Sequence, residues 1–128
     1  MVNGVNHIGI VVENIDRAFA LWERAYGAKL HGKKEFPEAG QISALVSIGD
    51  TCFEFMEPLG DVGVVPKFFS KRGEGLHHIS IRTDNIDSDC KKFEEEGLQV
   101  LFHDENGGFI SPKGNLGVVF EVSLGDEV

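Results

Sequence analysis

The sequence predicts an α+β fold in which two tandem βαβββ modules share a curled, mixed sheet. The first observation is a repeat. Val5 to Asp16 reads VNHIGIVVENID and Leu76 to Asp87 reads LHHISIRTDNID, so His7 meets His78, Ile8 meets Ile79, Ile10 meets Ile81 and Asn14 meets Asn85 at a constant offset of 71 residues. The second is a similar pair downstream, FEFMEPLGD from Phe53 and FEVSLGD from Phe120, which sets Glu54 against Glu121. The third is order: strand-period and helix-period patterns follow one another in the same sequence in both halves. Self-similarity of this kind marks a duplicated supersecondary unit.

The elements follow in turn. Ile8, Ile10 and Val12 alternate with His7, Gly9 and Val11, the period of a strand with two distinct faces. Asn14 or Asp16 then caps a helix over roughly 16 to 26, with Ile15, Phe19, Trp22 and Tyr26 on one stripe and Gly27 as a left-handed C-cap. Ala28 to Gly32 reads as a short strand and KKEFPEAG as a turn. Gln41 to Ile48 alternates again, and Gly49-Asp50 turns it into Thr51 to Met56, where Cys52, Glu54 and Met56 share one face and Phe53 and Phe55 the other. A short helix, Pro66 to Arg72, joins the modules and carries Phe68-Phe69 as core residues. The second module has a strand at His77 to Thr83 and a helix from Asp87 to Glu96 with Ile86, Cys90 and Phe93 inward. Strands at Leu98 to His103, Gly108 to Ser111 and Gly117 to Ser123 complete it. The whole chain, 1–128, thus reads as one domain: module one 1–60, connecting helix 61–75 and module two 76–128.

A chain of 128 residues holds one proper core, whereas two repeats of half that size would each be marginal alone. Net charge is −9, and the basic residues are scattered apart from Lys33-Lys34, Lys71-Arg72 and Lys91-Lys92. Nucleic acid and anionic membrane surfaces are therefore poor partners, and a small molecule is the expected ligand. No basic-then-apolar leader and no long apolar run is present, so a cytoplasmic location is expected. Cys52 and Cys90 lack metal-type spacing and read as small buried hydrophobes in a reducing compartment.

Strand phase puts His7 on the face with Gly9 and His78, rather than His77, on the face with Ser80; Glu54 and Glu121 likewise lie opposite phenylalanines. All four then face one cup as the half-sheets curl together. Two imidazoles and two carboxylates suit a divalent Mn, Co, Ni or Zn ion and balance its charge. Such an ion polarises a carbonyl and stabilises the enolate formed when the adjacent C–H loses its proton. His31 and His103 lack such company and read as surface residues, and KRGEG around Gly73 and Gly75 is backbone punctuation rather than a phosphate loop.

With these residues in view the chain resembles the vicinal oxygen chelate superfamily, and within it TCFEFMEPLG, VPKFFSKRGEGLHHI and SPKGNLGVVFEV resemble the methylmalonyl-CoA epimerases. The resemblance covers nearly the whole chain. It implies metal binding by His7, Glu54, His78 and Glu121, a homodimer, and an isomerase that removes a proton beside the thioester of a 2-substituted acyl-CoA and returns it on the other face. It also exposes departures: Val100 to Ser111 is short, Ser111 replaces a common His, and Ser43 stands where some epimerases place a glutamate base. Glu54 or Glu121 is left as the catalytic acid/base. Lys67, Lys71 and Arg72 are the cluster available for acyl-CoA phosphates. The alternatives on this fold are a glyoxalase-I-like lactoylglutathione lyase and a non-catalytic, bleomycin-resistance-like binding protein. An iron-dependent ring-cleaving dioxygenase fits less well, because it would use two His and one carboxylate.

Overall fold

The computed structural model describes residues 1–125, so the last residues assigned to module two, 126–128, lie outside the described part. The elements run β1 (Val2–Val11), α1 (Ile15–Tyr26), β2 (Lys29–Phe36), β3 (Gln41–Ile48), β4 (Thr51–Pro58), α2 (Val64–Arg72), β5 (Gly75–Thr83), α3 (Ile86–Glu95), β6 (Val100–His103), β7 (Gly107–Ile110) and β8 (Phe120–Leu124). The βαβββ order occurs twice, with α2 between. The strands make a mixed, eight-stranded sheet in the order β2-β3-β4-β1-β5-β8-β7-β6. The described chain divides into two compact units, residues 9–77 and residues 1–8 with 78–125.

In residues 9–77, α1 begins where Asn14 accepts a hydrogen bond from the backbone N–H of Arg17 and ends at Gly27, left-handed at φ 71°. Its apolar stripe packs on the sheet: Ile15 is fully buried with Val12, Ala44, Val46 and Phe55. Trp22 sits edge-on to both Phe53 and Phe55, 5.0 and 4.9 Å between ring centroids. This fixes the phenylalanine face of β4 toward the helix and leaves Glu54 on the other. Val65 of α2 is buried with Val11 and Met56, and Phe68 and Phe69 pack beside them as the sequence suggests. Gly40 is left-handed at φ 72°, and a Cβ there would stand 2.1 Å from the carbonyl oxygen of Val62, so the chain needs glycine at that approach.

In the other unit, Asn85 caps α3 through the N–H of Ser88, and Ile86 and Cys90 are buried with Ile81, Ile110 and Val122. β8 pairs in parallel with β5 and antiparallel with β7, which pairs with β6. Among the described residues no helix is long and apolar enough to cross a membrane.

Two local expectations are corrected. KKEF is not a turn: β2 continues through Phe36, pairing Lys33 with Ala44 and Glu35 with Ile42 after a bulge at His31. An edge strand with exposed side chains has no apolar alternation to announce it. Only Pro37–Ala39 turn, as one 3₁₀ turn. Gly117 to Val119 is not strand either. Gly117 N–H and Asn115 N–H both bond the Pro112 carbonyl, which winds the segment into a turn before β8 begins at Phe120.

Candidate metal centre

β1 and β5 deliver His7 and His78 as their phases require. The two Nε2 atoms are 3.2 Å apart, with the ring planes at 82°. Glu121 arrives on β8, whose parallel register sets it beside Ser80 of β5. Its Oε1 lies 3.2 Å from His7 Nε2 and 3.7 Å from His78 Nε2. The imidazoles are buried, at 10% and 4% side-chain exposure, while the carboxylate is 28% exposed. Phe109 pairs with Glu121 across β7 and β8, and its ring stands 6.1 Å from that of His78, an apolar wall beside the donors.

These three atoms converge without crowding. Two cis ligands with bonds of about 2.1 Å stand roughly 3.0 to 3.4 Å apart around one ion, and the two nitrogens and the nearer nitrogen–oxygen pair are both at 3.2 Å. The donor set fits a borderline divalent cation.

Burial works to raise the proton affinity of Glu121, but the hydrogen bond from His7, the charges of His78 and His7 and a hydrogen bond from Ser80 together outweigh it, and the carboxyl is held below the ordinary glutamate value. Glu121 is thus an anion at neutral pH, the form that binds metal.

Glu54 sits at mid-β4, opposite Leu45 of β3. Its Oε2 accepts from Ser43 Oγ at 2.9 Å, and Ser43 in turn accepts from Gln41 Nε2 at 2.8 Å. The serine found where a carboxylate was sought therefore holds a carboxylate instead. His31 and His103 are surface residues as expected, the first bonded to Ser47 and the second 3.4 Å from Asp87. His77 packs edge-on to Phe68. Lys67 and Lys71 line an open depression of about 540 Å³ with Pro58, Asp61 and Phe69, whereas Arg72 lies over the Phe68 ring.

Sequence reasoning missed Asn6 and Ser80. Asn6 is buried and its Oδ1 lies 2.7 Å from His7 Nδ1. Ser80 is fully buried and shares a 2.8 Å hydrogen bond with Ser123. The polar character of Ser80 on the His78 face was a visible signal; Asn6 gave none, because strand alternation assigns it to the opposite face from His7.

Residues 6–112 match the model of the Glyoxalase/Bleomycin resistance protein/Dioxygenase superfamily. Mitochondrial methylmalonyl-CoA epimerase of Homo sapiens is 31% identical over 126 residues, covering 92% of this chain and 72% of that one. Ethylmalonyl-CoA/methylmalonyl-CoA epimerase of Cereibacter sphaeroides is 26% identical over 102 residues, 79% of this chain and 76% of the relative. A variant of Streptomyces coelicolor methylmalonyl-CoA epimerase, solved in complex with 2-nitronate-propionyl-CoA, superposes with a TM-score of 0.87 at 26% identity, covering 97% of this chain and 98% of that one.

Proposed function

Because the chain belongs to the Glyoxalase/Bleomycin resistance protein/Dioxygenase superfamily, we propose that this enzyme is a divalent-metal-dependent epimerase of a 2-substituted acyl-CoA such as methylmalonyl-CoA. It is an isomerase, in keeping with the epimerases it resembles. The observation that carries the metal dependence is the convergence of His7, His78 and Glu121 at ligand-to-ligand spacing. We assign Glu54 as the fourth ligand, on the chemistry of the group and on its place in the repeat. Since these ligands come from both modules, residues 1–128 act as a single domain in this reading. The resemblance that suggests it also suggests a homodimer.

When bound, the metal polarises the thioester carbonyl and favours loss of the neighbouring proton. The remaining work belongs to side chains. A carboxylate of the pair Glu54 and Glu121 takes the proton from C2, and the C–H electron pair passes into the thioester carbonyl as an enolate. Return of a proton to the opposite face restores the thioester with inverted configuration, so no atom is gained or lost. Ser43 and Ser80 donate hydrogen bonds to the carboxylates and hold them toward the reacting carbon. Phe109 excludes water on one side. Lys67 and Lys71 are assigned the phosphates of the coenzyme A tail.

The test is deuterium uptake from D₂O into C2 of methylmalonyl-CoA, measured by mass spectrometry with the Co-loaded protein. Uptake that is lost in His78→Ala and in Glu121→Gln supports the reading. Turnover of the glutathione hemithioacetal of methylglyoxal, with none of the acyl-CoA, would replace it with a lyase. Full uptake in Glu121→Gln would remove that residue as the base.

A further inference from the structure

We propose that Asn6 is a positioning residue that locks the ring of His7 with a proton on Nδ1, so that Nε2 is the nitrogen offered to metal. The inference rests on the metal-dependent reading above and adds a residue to it.

Asn6 has two contacts, and together they fix which way its amide points. Nδ2 lies 2.6 Å from the carbonyl oxygen of Gly125, which can only accept, so the amide nitrogen must face it. Oδ1 then faces His7, 2.7 Å from Nδ1. An amide oxygen so close requires a donor. Nδ1 therefore carries hydrogen, and a bare Nδ1 would set two lone pairs against each other in a buried place, with Asn6 only 7% exposed. In the metal-free chain a second proton on Nε2 bonds Glu121. In the neutral imidazole that takes a metal the one N–H stays on Nδ1, so the lone pair falls on Nε2, the atom 3.2 Å from both His78 Nε2 and Glu121 Oε1.

The grip comes from β8 at both ring nitrogens. Glu121 on that strand faces Nε2, and Gly125, just past its end, aims the amide that faces Nδ1. The ring orientation is thereby tied to the strand that supplies the carboxylate. A neutral acceptor does this without adding a negative charge beside Glu121. Outer contacts of this kind alter metal affinity by about 10- to 100-fold.

The experiment has two readouts. Long-range ¹H–¹⁵N spectra of ¹⁵N-histidine-labelled, chelator-treated wild-type chain, with His7 assigned by its absence in His7→Gln, should show Nδ1 of the protonated type from pH 6 to 9. A bare Nδ1 anywhere in that range overturns the proposal without any variant having to fold. Calorimetric titration with Zn should show Asn6→Leu binding at least tenfold more weakly than wild type, and Asn6→Asp, which keeps the acceptor, within about threefold. Wild-type affinity in a folded Asn6→Leu overturns it. If wild type itself binds no metal, the metal-dependent reading falls, and the state of Nδ1 still decides the role of Asn6.

Discussion

His7 Nε2 and His78 Nε2 lie 3.2 Å apart although 71 residues separate them in the chain. Neither imidazole gains from such proximity unless a proton or a cation lies on the line of approach of the two lone pairs. The repeat supplies the two histidines, and pairing of their strands within one sheet supplies the separation.

That geometry predicts one divalent ion per chain in protein expressed with Co or Ni and measured by elemental analysis. His78→Ala should lower affinity by 100-fold or more, because the remaining donors lose a ligand whose side chain is only 4% exposed. Stoichiometric metal in His78→Ala would place the ion elsewhere.

A pH dependence follows from Glu121. Its carboxyl is held below the ordinary glutamate value in the fold, chiefly because the hydrogen bond and charge of His7 and the charge of His78 overcome burial. A group with a depressed folded value binds protons more readily when unfolded. Its contribution to stability is therefore present above the unfolded glutamate range and is lost as pH falls through the lower, folded value. In thermal melts of the metal-free chain, wild type should lose more stability than Glu121→Gln on acidification below about pH 4.5. Parallel curves would contradict this assignment.

Ser43→Ala removes the donor to Glu54 Oε2 while leaving Gln41 free to reorient. The expected cost is about 1 kcal/mol in denaturant unfolding of the metal-free chain, with metal affinity falling by about tenfold. Loss of stability alone, with unchanged affinity, would reduce Ser43 to a structural role.

Phe55→Ala should destabilise by about 3 to 5 kcal/mol, since the ring is 1% exposed and is covered by Trp22. Gly40→Ala should cost about 2 kcal/mol or more through its positive φ and the approach of Val62. Chemical unfolding measures both, and a neutral Gly40→Ala would show that the segment around Val62 shifts freely.

Cys90 is fully buried, and burial, with Glu94, Asp87 and Asp89 nearby, pushes its thiol up from the usual value. Iodoacetamide at neutral pH should modify it only on unfolding, at a rate set by denaturant. Rapid labelling of the native chain at Cys90 would place α3 away from the sheet.

The histidine and glutamate pairs were legible because each lies in a strand with strict alternation, where phase alone decides the face. His78 rather than His77 followed from that phase, as did the opposition of Glu54 to Phe53 and Phe55. Both long helices were legible from their apolar stripes, the first with Gly27 as its C-cap and Asn14 as one of two candidate N-caps, whereas the Asn85 cap of α3 emerged only in the structure. β2 beyond Gly32 was not, because an exposed edge strand buries too little to shape its composition. The turn before β8 was hidden too, since Gly117 to Val119 has strand-like residues and winds only because the Pro112 carbonyl captures two N–H groups.

The sequence by itself determined the duplicated βαβββ order and which residues each strand offers as donors, because periodicity is a local property of the chain. Only the tertiary structure decided that Oε1 of Glu121 reaches both imidazoles, that Ser43 holds Glu54, and that the amide of Asn6 meets Nδ1 of His7. Those partnerships depend on register between strands and on a backbone carbonyl at Gly125. Hydrogen bonds join atoms a few ångströms apart, and residues far apart in the chain come that close only when the sheet is assembled.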